Sequence, residues 1–206
     1  MTRTKKISTD TYQVPASEVA AVIKVKGSKF IASIFPAATA EEAEEIYDKI
    51  KKKFFNATHN CLAYRINDTI FRYSDDGEPS GTAGKPMLQA LDGAGLSQVV
   101  CVVTRYFGGT KLGTGGLIRA YSDSVSEAIK ALKIKTKTKT ASLRLGFKYE
   151  QENLIRRHLA QAEGTIIHSD YSADVVFDVA IPRSKVADFT AQVSEATQST
   201  TQITKI

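Results

Sequence analysis

Ten of the chain's thirteen glycines fall between Ser74 and Tyr121, many more than the turns of that stretch require. Glycine loses more backbone entropy on folding than any other residue, so such density marks backbone that turns at positive φ or is approached closely by another group. The stretch has two parts. Ser74-Asp75-Asp76-Gly77-Glu78-Pro79-Ser80-Gly81-Thr82-Ala83-Gly84-Lys85-Pro86 comes first, and Arg105-Tyr106-Phe107-Gly108-Gly109-Thr110-Lys111-Leu112-Gly113-Thr114-Gly115-Gly116-Leu117 follows. Between them Val99–Val103 is apolar at every position, the pattern of a strand covered on both faces. After the second part, Leu117, Tyr121, Val125, Ala128, Ile129 and Leu132 share one face of a long helix. That helix opens on glycines, and a helix start leaves N–H groups pointing outward that suit an anion.

The remaining elements are ordinary. Val19–Val25 and Phe30–Ile34 alternate as a hairpin around Lys26-Gly27-Ser28. Thr39-Ala40-Glu41-Glu42 opens a helix carrying Ala43, Ile46, Tyr47, Ile50 and Phe54, and Lys49–Lys53 suit the negative end of its dipole. Cys61–Ile66 and Ile70–Tyr73 pair across Asn67-Asp68, and Pro86 sits in the first turn of a helix with Met87, Leu88 and Leu91. Lys133–Thr140 alternates lysine with threonine, as a linker or as an exposed edge strand guarded by lysines. The domain boundary is expected there, giving residues 1–135 and 136–206. Beyond it, strand Leu143–Tyr149, a helix through Leu154–Ala162, strands at Ile166-Ile167 and Val175–Ile181 around Ser169–Ser172, a helix through Val186–Val193 and a strand from Thr200 spell βαββαβ, the ferredoxin-like order.

Composition narrows the function classes. The 206 residues are 42% hydrophobic and 24% charged, ordinary for a globular chain. No apolar run nears the roughly 18 residues of a membrane span, and Met1–Lys6 is polar. A cytoplasmic protein is expected. Cys61 and Cys101 each lie in an apolar run and are read as buried free thiols. Through Thr140 there are 21 Lys and Arg against 14 Asp and Glu, whereas from Ala141 there are 7 against 8. The basic excess therefore belongs to the first part, compatible with a nucleic-acid partner.

Strict phosphate motifs are absent. Gly108–Gly113 has P-loop spacing but Thr114 stands where lysine is needed, and Gly113-Thr114-Gly115 meets Ile118 where a dinucleotide fingerprint needs glycine. What remains is a phosphate cradle from Gly108, Gly109, Gly113, Gly115 and Gly116 with Lys85, Arg105, Lys111 and Arg119, against the alternative that the glycines serve close packing. Tyr106 and Phe107 are candidates for base stacking, or core residues at a strand end. Asp75, Asp76 and Glu78 form either a cation or acid–base site or simply an acidic turn. His59 and Cys61 share a strand face, but two ligands make no zinc site, and the sequence names no catalytic residue, metal or cofactor.

The two glycine-rich segments, with Val102-Val103-Thr104 before the second and Ile118-Arg119-Ala120-Tyr121 after it, closely resemble the IMPACT family in its bacterial YigZ-like form. The resemblance runs from about Glu18 to the C-terminus. It implies an α+β chain of two domains, the first a mixed sheet with helices on one face, similar to the second domain of a small-subunit ribosomal protein. The second is implied to be similar to domain V of elongation factor G, in agreement with βαββαβ. Eukaryotic members are translational regulators carrying an additional RWD domain, which this chain is not expected to hold. The expected function is a non-enzymatic binding protein with RNA or a translation factor as partner and no membrane contact. One alternative is a small phosphotransferase or hydrolase, since Leu112–Gly116 also looks like the glycine-rich turn of GHMP-type sugar kinases. The other is a protein adaptor without nucleic-acid contact.

Overall fold

The computed structural model describes residues 10 to 206, so the polar start Met1–Lys6 lies outside the described residues. These divide into two compact units, Tyr12–Thr136 and Lys137–Ile206, the second joined by Asp10 and Thr11.

Tyr12–Thr136 is built on a five-stranded sheet. Its strands are β2 (Val19–Val25), β3 (Ser28–Pro36), β4 (His59–Arg65), β5 (Phe71–Ser74) and β6 (Val99–Tyr106), in the order β2-β3-β6-β4-β5. Central β6 is buried at almost every position because both of its faces are covered. Val99, Cys101 and Val103 pack under α2 (Gly84–Gly93) and α3 (Thr114–Lys130). Val100 and Val102 pack instead with Ala43, Tyr47 and Ile50 of α1 (Ala40–Lys53). Two details of the expected first domain are corrected. Each pairing in this sheet is antiparallel rather than mixed. The helices lie on both faces, because the apolar stripe of α1 requires cover that α2 and α3 already take on the other side. At the start of α1 the Glu42 N–H donates to Thr39 Oγ1 at 3.2 Å, while the Glu42 carboxylate accepts from Ala38 N–H.

The second unit holds β8 (Thr140–Phe147), α4 (Glu152–Gln161), β9 (Thr165–Tyr171), β10 (Val175–Pro182), α5 (Val186–Ala196) and β11 (Gln202–Lys205), which is βαββαβ. Its antiparallel sheet runs β11-β8-β10-β9 around a core of Leu145, Phe147, Phe177, Ile155 and Phe189. Ser169–Tyr171, read as part of the turn, extends β9, and the reversal falls at Ser172–Asp174. The Lys-Thr run becomes β7 (Ile134–Thr138), exposed at every residue and paired with β1 (Thr11–Pro15), a strand the polar sequence there did not announce. No helix among the described residues is long and apolar enough to cross a membrane.

Candidate functional site

Strand register assembles the site. Phe30 lies opposite Arg105, and Arg105 lies opposite His59, so three strands set these side chains in one row on the face that α2 and α3 cover. One register step inward, Cys61 stands opposite Val103. Tyr121, on the second turn of α3, meets Phe30 edge-on at 5.2 Å and donates its hydroxyl to Glu78 Oε1 at 2.7 Å. The Arg105 guanidinium donates to the same oxygen at 2.5 Å, with both side chains almost fully buried. The guanidinium carbon lies 5.4 Å from the Phe30 ring centre and 5.7 Å from that of Phe107. His59 Nδ1 sits 2.8 Å from the Asp76 carbonyl; a carbonyl only accepts, so Nδ1 carries the proton and Nε2 faces Glu78 at 3.8 Å. Cys61 Sγ lies 3.1 Å from the Asp75 carbonyl and 3.3 Å from Tyr121 Oη, two acceptors for its single S–H. Burial above all pushes the Cys61 thiol pKa up, so a thiolate nucleophile is disfavoured here. Burial likewise raises that of Tyr121 and keeps it a phenol that can donate.

The first glycine-rich loop supplies its own anions. Asp75 accepts from the N–H groups of Gly81, Ala83 and Gly84, which satisfies the opening of α2 from outside the helix. Asp76 accepts from Asn60 N–H at 2.7 Å and pairs with Lys51 at 3.2 Å, which raises the lysine pKa. With Glu78 given to Arg105 and Tyr121, each acidic side chain of the turn has an internal partner. Among the described residues no group of three His, Cys, Asp or Glu is placed to hold a metal ion. The turn reading fits Asp75, Asp76 and Glu78 better than a cation site.

The second loop is different. Phe107 N–H donates to Thr58 Oγ1 and Gly108 N–H to Ser28 Oγ, and there the acceptors among the described residues end. Gly113, at φ 73°, precedes α3 and has no side chain with which to cap it; the first helical bond runs from Leu117 N–H to Gly113 O. The N–H groups of Thr114, Gly115 and Gly116 therefore meet no acceptor among the described residues. Lys111 and Arg119 are exposed beside them, Arg119 reaching only the Gly115 carbonyl, at 3.5 Å.

Both loops fall inside residues 26–129, which match the family model described as the Impact N-terminal domain; residues 145–200 match the domain of unknown function DUF1949. The chain is 37% identical over 201 residues to IMPACT family member YigZ of Escherichia coli strain K12, covering 96% of this chain and 98% of that one. This chain belongs to the IMPACT family. A second family member, YvyE of Bacillus subtilis, is 39% identical over 183 residues, 88% of this chain and 84% of its own length. Protein IMPACT of Xenopus laevis is 34% identical over 108 residues, 49% of this chain and 34% of that protein. A crystal structure titled as that of a hypothetical protein superposes with a TM-score of 0.68 at 37% identity, covering 96% of this chain and 98% of that one.

Within this IMPACT-family chain the sequence-derived candidates separate into two groups. Arg105 is at the end of β6 but turned inward onto Glu78, not into the glycine loop. Gly108 is a packing glycine, since a Cβ there would lie 1.9 Å from the Gly27 carbonyl carbon. Among the described residues, Gly109, Gly113 and Gly115 have nothing within 4 Å of such a Cβ, and Gly116 meets only the Leu112 side chain. Lys85 is exposed in the first turn of α2. Tyr106 is half-buried with its hydroxyl on Asn56, and Phe107 is exposed. The sequence pattern places Tyr121 on the apolar face of its helix and His59 on a strand face beside Cys61. Their convergence on Glu78 depends on register, which no local pattern reveals.

Proposed function

We propose that this IMPACT-family protein is a binding protein that holds RNA, or a translation component containing it, by its phosphate backbone beside the N-terminus of α3. The observation that carries this reading is the uncapped start of α3 together with Lys111 and Arg119 beside it, which have no acidic partner among the described residues. An internal carboxylate fills the comparable position before α2, so the two glycine-rich loops differ in what they leave open. Lys85, Gly109, Gly113, Gly115 and Gly116 belong to the same proposed surface. Arg105 acts beneath it, as a support held by Glu78.

A salt series of RNA affinity, read by fluorescence anisotropy, tests the reading. The logarithm of affinity should fall linearly with that of salt, by about 0.7 per phosphate contact for a single strand, and Lys111→Ala or Arg119→Ala should each remove about one such increment. Absence of binding at low salt overturns it. Gly115→Ala is a sharper check. Nothing among the described residues lies within 4 Å of the added methyl, and alanine in place of glycine should leave the helix unchanged or more stable, by up to about 1 kcal/mol. RNA affinity should nevertheless drop, because the methyl stands where a phosphate must approach the amides.

A further inference from the structure

The end of β6 gathers three loops that are distant in sequence. Thr58 N–H donates to the Arg105 carbonyl, Phe107 N–H to Thr58 Oγ1 and Tyr106 Oη–H to Asn56, which binds the segment after α1 to the start of the glycine loop. On the other side, Gly27 of the β2–β3 turn touches Gly108 backbone to backbone, and Ser28 accepts from Gly108 N–H. Two phenylalanines emerge on these knitted loops. Phe55 is 84% exposed, the highest value among the described large apolar residues, and Phe107 is 48% exposed while its ring also lies 5.7 Å from the Arg105 guanidinium. Buried Arg105, fixed by Glu78, thus holds the Phe107 ring in place while about half of that residue stays open to solvent.

Single exposed apolar residues need no explanation, but two aromatic rings on hydrogen-bonded neighbouring loops among cations do. Lys26 and Lys29 arrive with the β2–β3 turn, Lys52 and Lys53 close α1 just before Phe55, and Lys111 follows Phe107 in the glycine loop; all five are exposed. Lys49 and Lys51 of the same helix end are engaged by Glu45 and Asp76, whereas these five have no acidic partner among the described residues. Rings set among cations suit a partner that offers flat π-faces joined by negative charges. A duplex hides its base faces; a single strand exposes them.

We infer that Phe55 and Phe107 form a stacking platform for unpaired bases of single-stranded RNA, with Lys26, Lys29 and Lys53 beside its backbone. This inference rests on the phosphate-binding reading of α3 and assigns the strand form and the base contacts. The test uses the full chain and three labelled probes of roughly twelve nucleotides, within the site sizes of such surfaces: a mixed pyrimidine RNA, an abasic strand of equal length, and a duplex. The pyrimidine strand should bind about tenfold or more tighter than either of the others. Phe55→Ala and Phe107→Ala should each weaken it by about tenfold, leave the abasic strand unaffected and keep the salt dependence unchanged, whereas Phe55→Tyr should retain affinity. Phe55 touches so little of the protein that its alanine variant should melt like the parent. If both alanine variants bind the pyrimidine strand like the parent, or the duplex binds as tightly, the platform is refuted while the α3 reading stands. If no strand binds at low salt, both fall.

Discussion

Glu78→Ala should lower the unfolding free energy by about 3–5 kcal/mol, the cost of leaving one partner of a buried ion pair without the other. Arg105 is 5% exposed and lies between the rings of Phe30 and Phe107, so water cannot replace the lost carboxylate at little cost. Tyr121, which is fully buried, loses the acceptor for its hydroxyl at the same time. Urea denaturation should show a lower midpoint with little response to added salt, since the pair lies away from mobile ions. Glu78→Leu combined with Arg105→Met should recover the part of the loss that comes from the unpaired guanidinium, because apolar side chains of similar size remove both charges' desolvation costs together. Adding Tyr121→Phe should recover most of the rest by removing the hydroxyl left without an acceptor. A loss below about 1 kcal/mol for Glu78→Ala would mean that the pair is hydrated in solution and behaves like a surface ion pair. Recovery in the double variant would in turn show that the pair sets position more than net stability. It fixes the acidic turn against the end of β6 and holds Arg105 behind Phe107.

How far the sequence revealed this arrangement varies with the range of the interaction. The βαββαβ order was legible because helical and alternating patterns follow one another with clear breaks, and β6 announced its two covered faces by being apolar throughout. The same apolar run implies that α1 covers the face opposite α2 and α3, an implication that the likeness to a ribosomal-protein domain hid. Where an element is exposed, the periodic signal disappears. β1 is short and polar, and the outer half of β9 is solvent-facing at each residue, so neither alternates. The glycine loops were legible as loops but not by the work of each glycine. Gly108 is required by Gly27, and Gly84 by the backbone of Ser74, both partners brought in by tertiary structure, while a Cβ at Gly115 would meet nothing within 4 Å among the described residues. The Glu78–Arg105 pair spans 27 positions, and Asp75 caps a helix that begins nine residues later, outside any local capping motif. The lysines of the β2–β3 turn reach the candidate surface through β3–β6 pairing, which sets Lys29 opposite Tyr106, and through the contacts of Gly27 and Ser28 with Gly108, which is why charge along the chain showed a basic first part without showing where it gathers.

That contact is the second place where a single atom should have a large effect. Adding one methyl at Gly108 sets it 1.9 Å from the Gly27 carbonyl carbon and 2.2 Å from Ser28 N, and each of those atoms is backbone. A flexible side chain could swing aside, but here two main chains must separate, and overpacking that side-chain rotation cannot relieve costs at or above the usual 1–3 kcal/mol range. Gly108→Ala should therefore destabilise the chain by about 3 kcal/mol or more in urea denaturation. The direction of relaxation has a functional consequence. To admit the methyl, the β2–β3 turn has to move away from the glycine loop, the Gly108 N–H bond to Ser28 Oγ breaks, and Lys26 and Lys29 move away from Phe107. RNA affinity should drop with stability, and the salt dependence should become shallower as those two cations leave the surface. Gly115→Ala adds the same methyl seven residues later and should do the reverse to stability, since no described residue comes within 4 Å of it. The pair separates glycine kept for packing from glycine kept for a ligand: loss of stability and affinity together at 108, loss of affinity alone at 115. Equal stability losses at the two positions would mean that both glycines serve the fold, and that the open amides of α3 hold no partner.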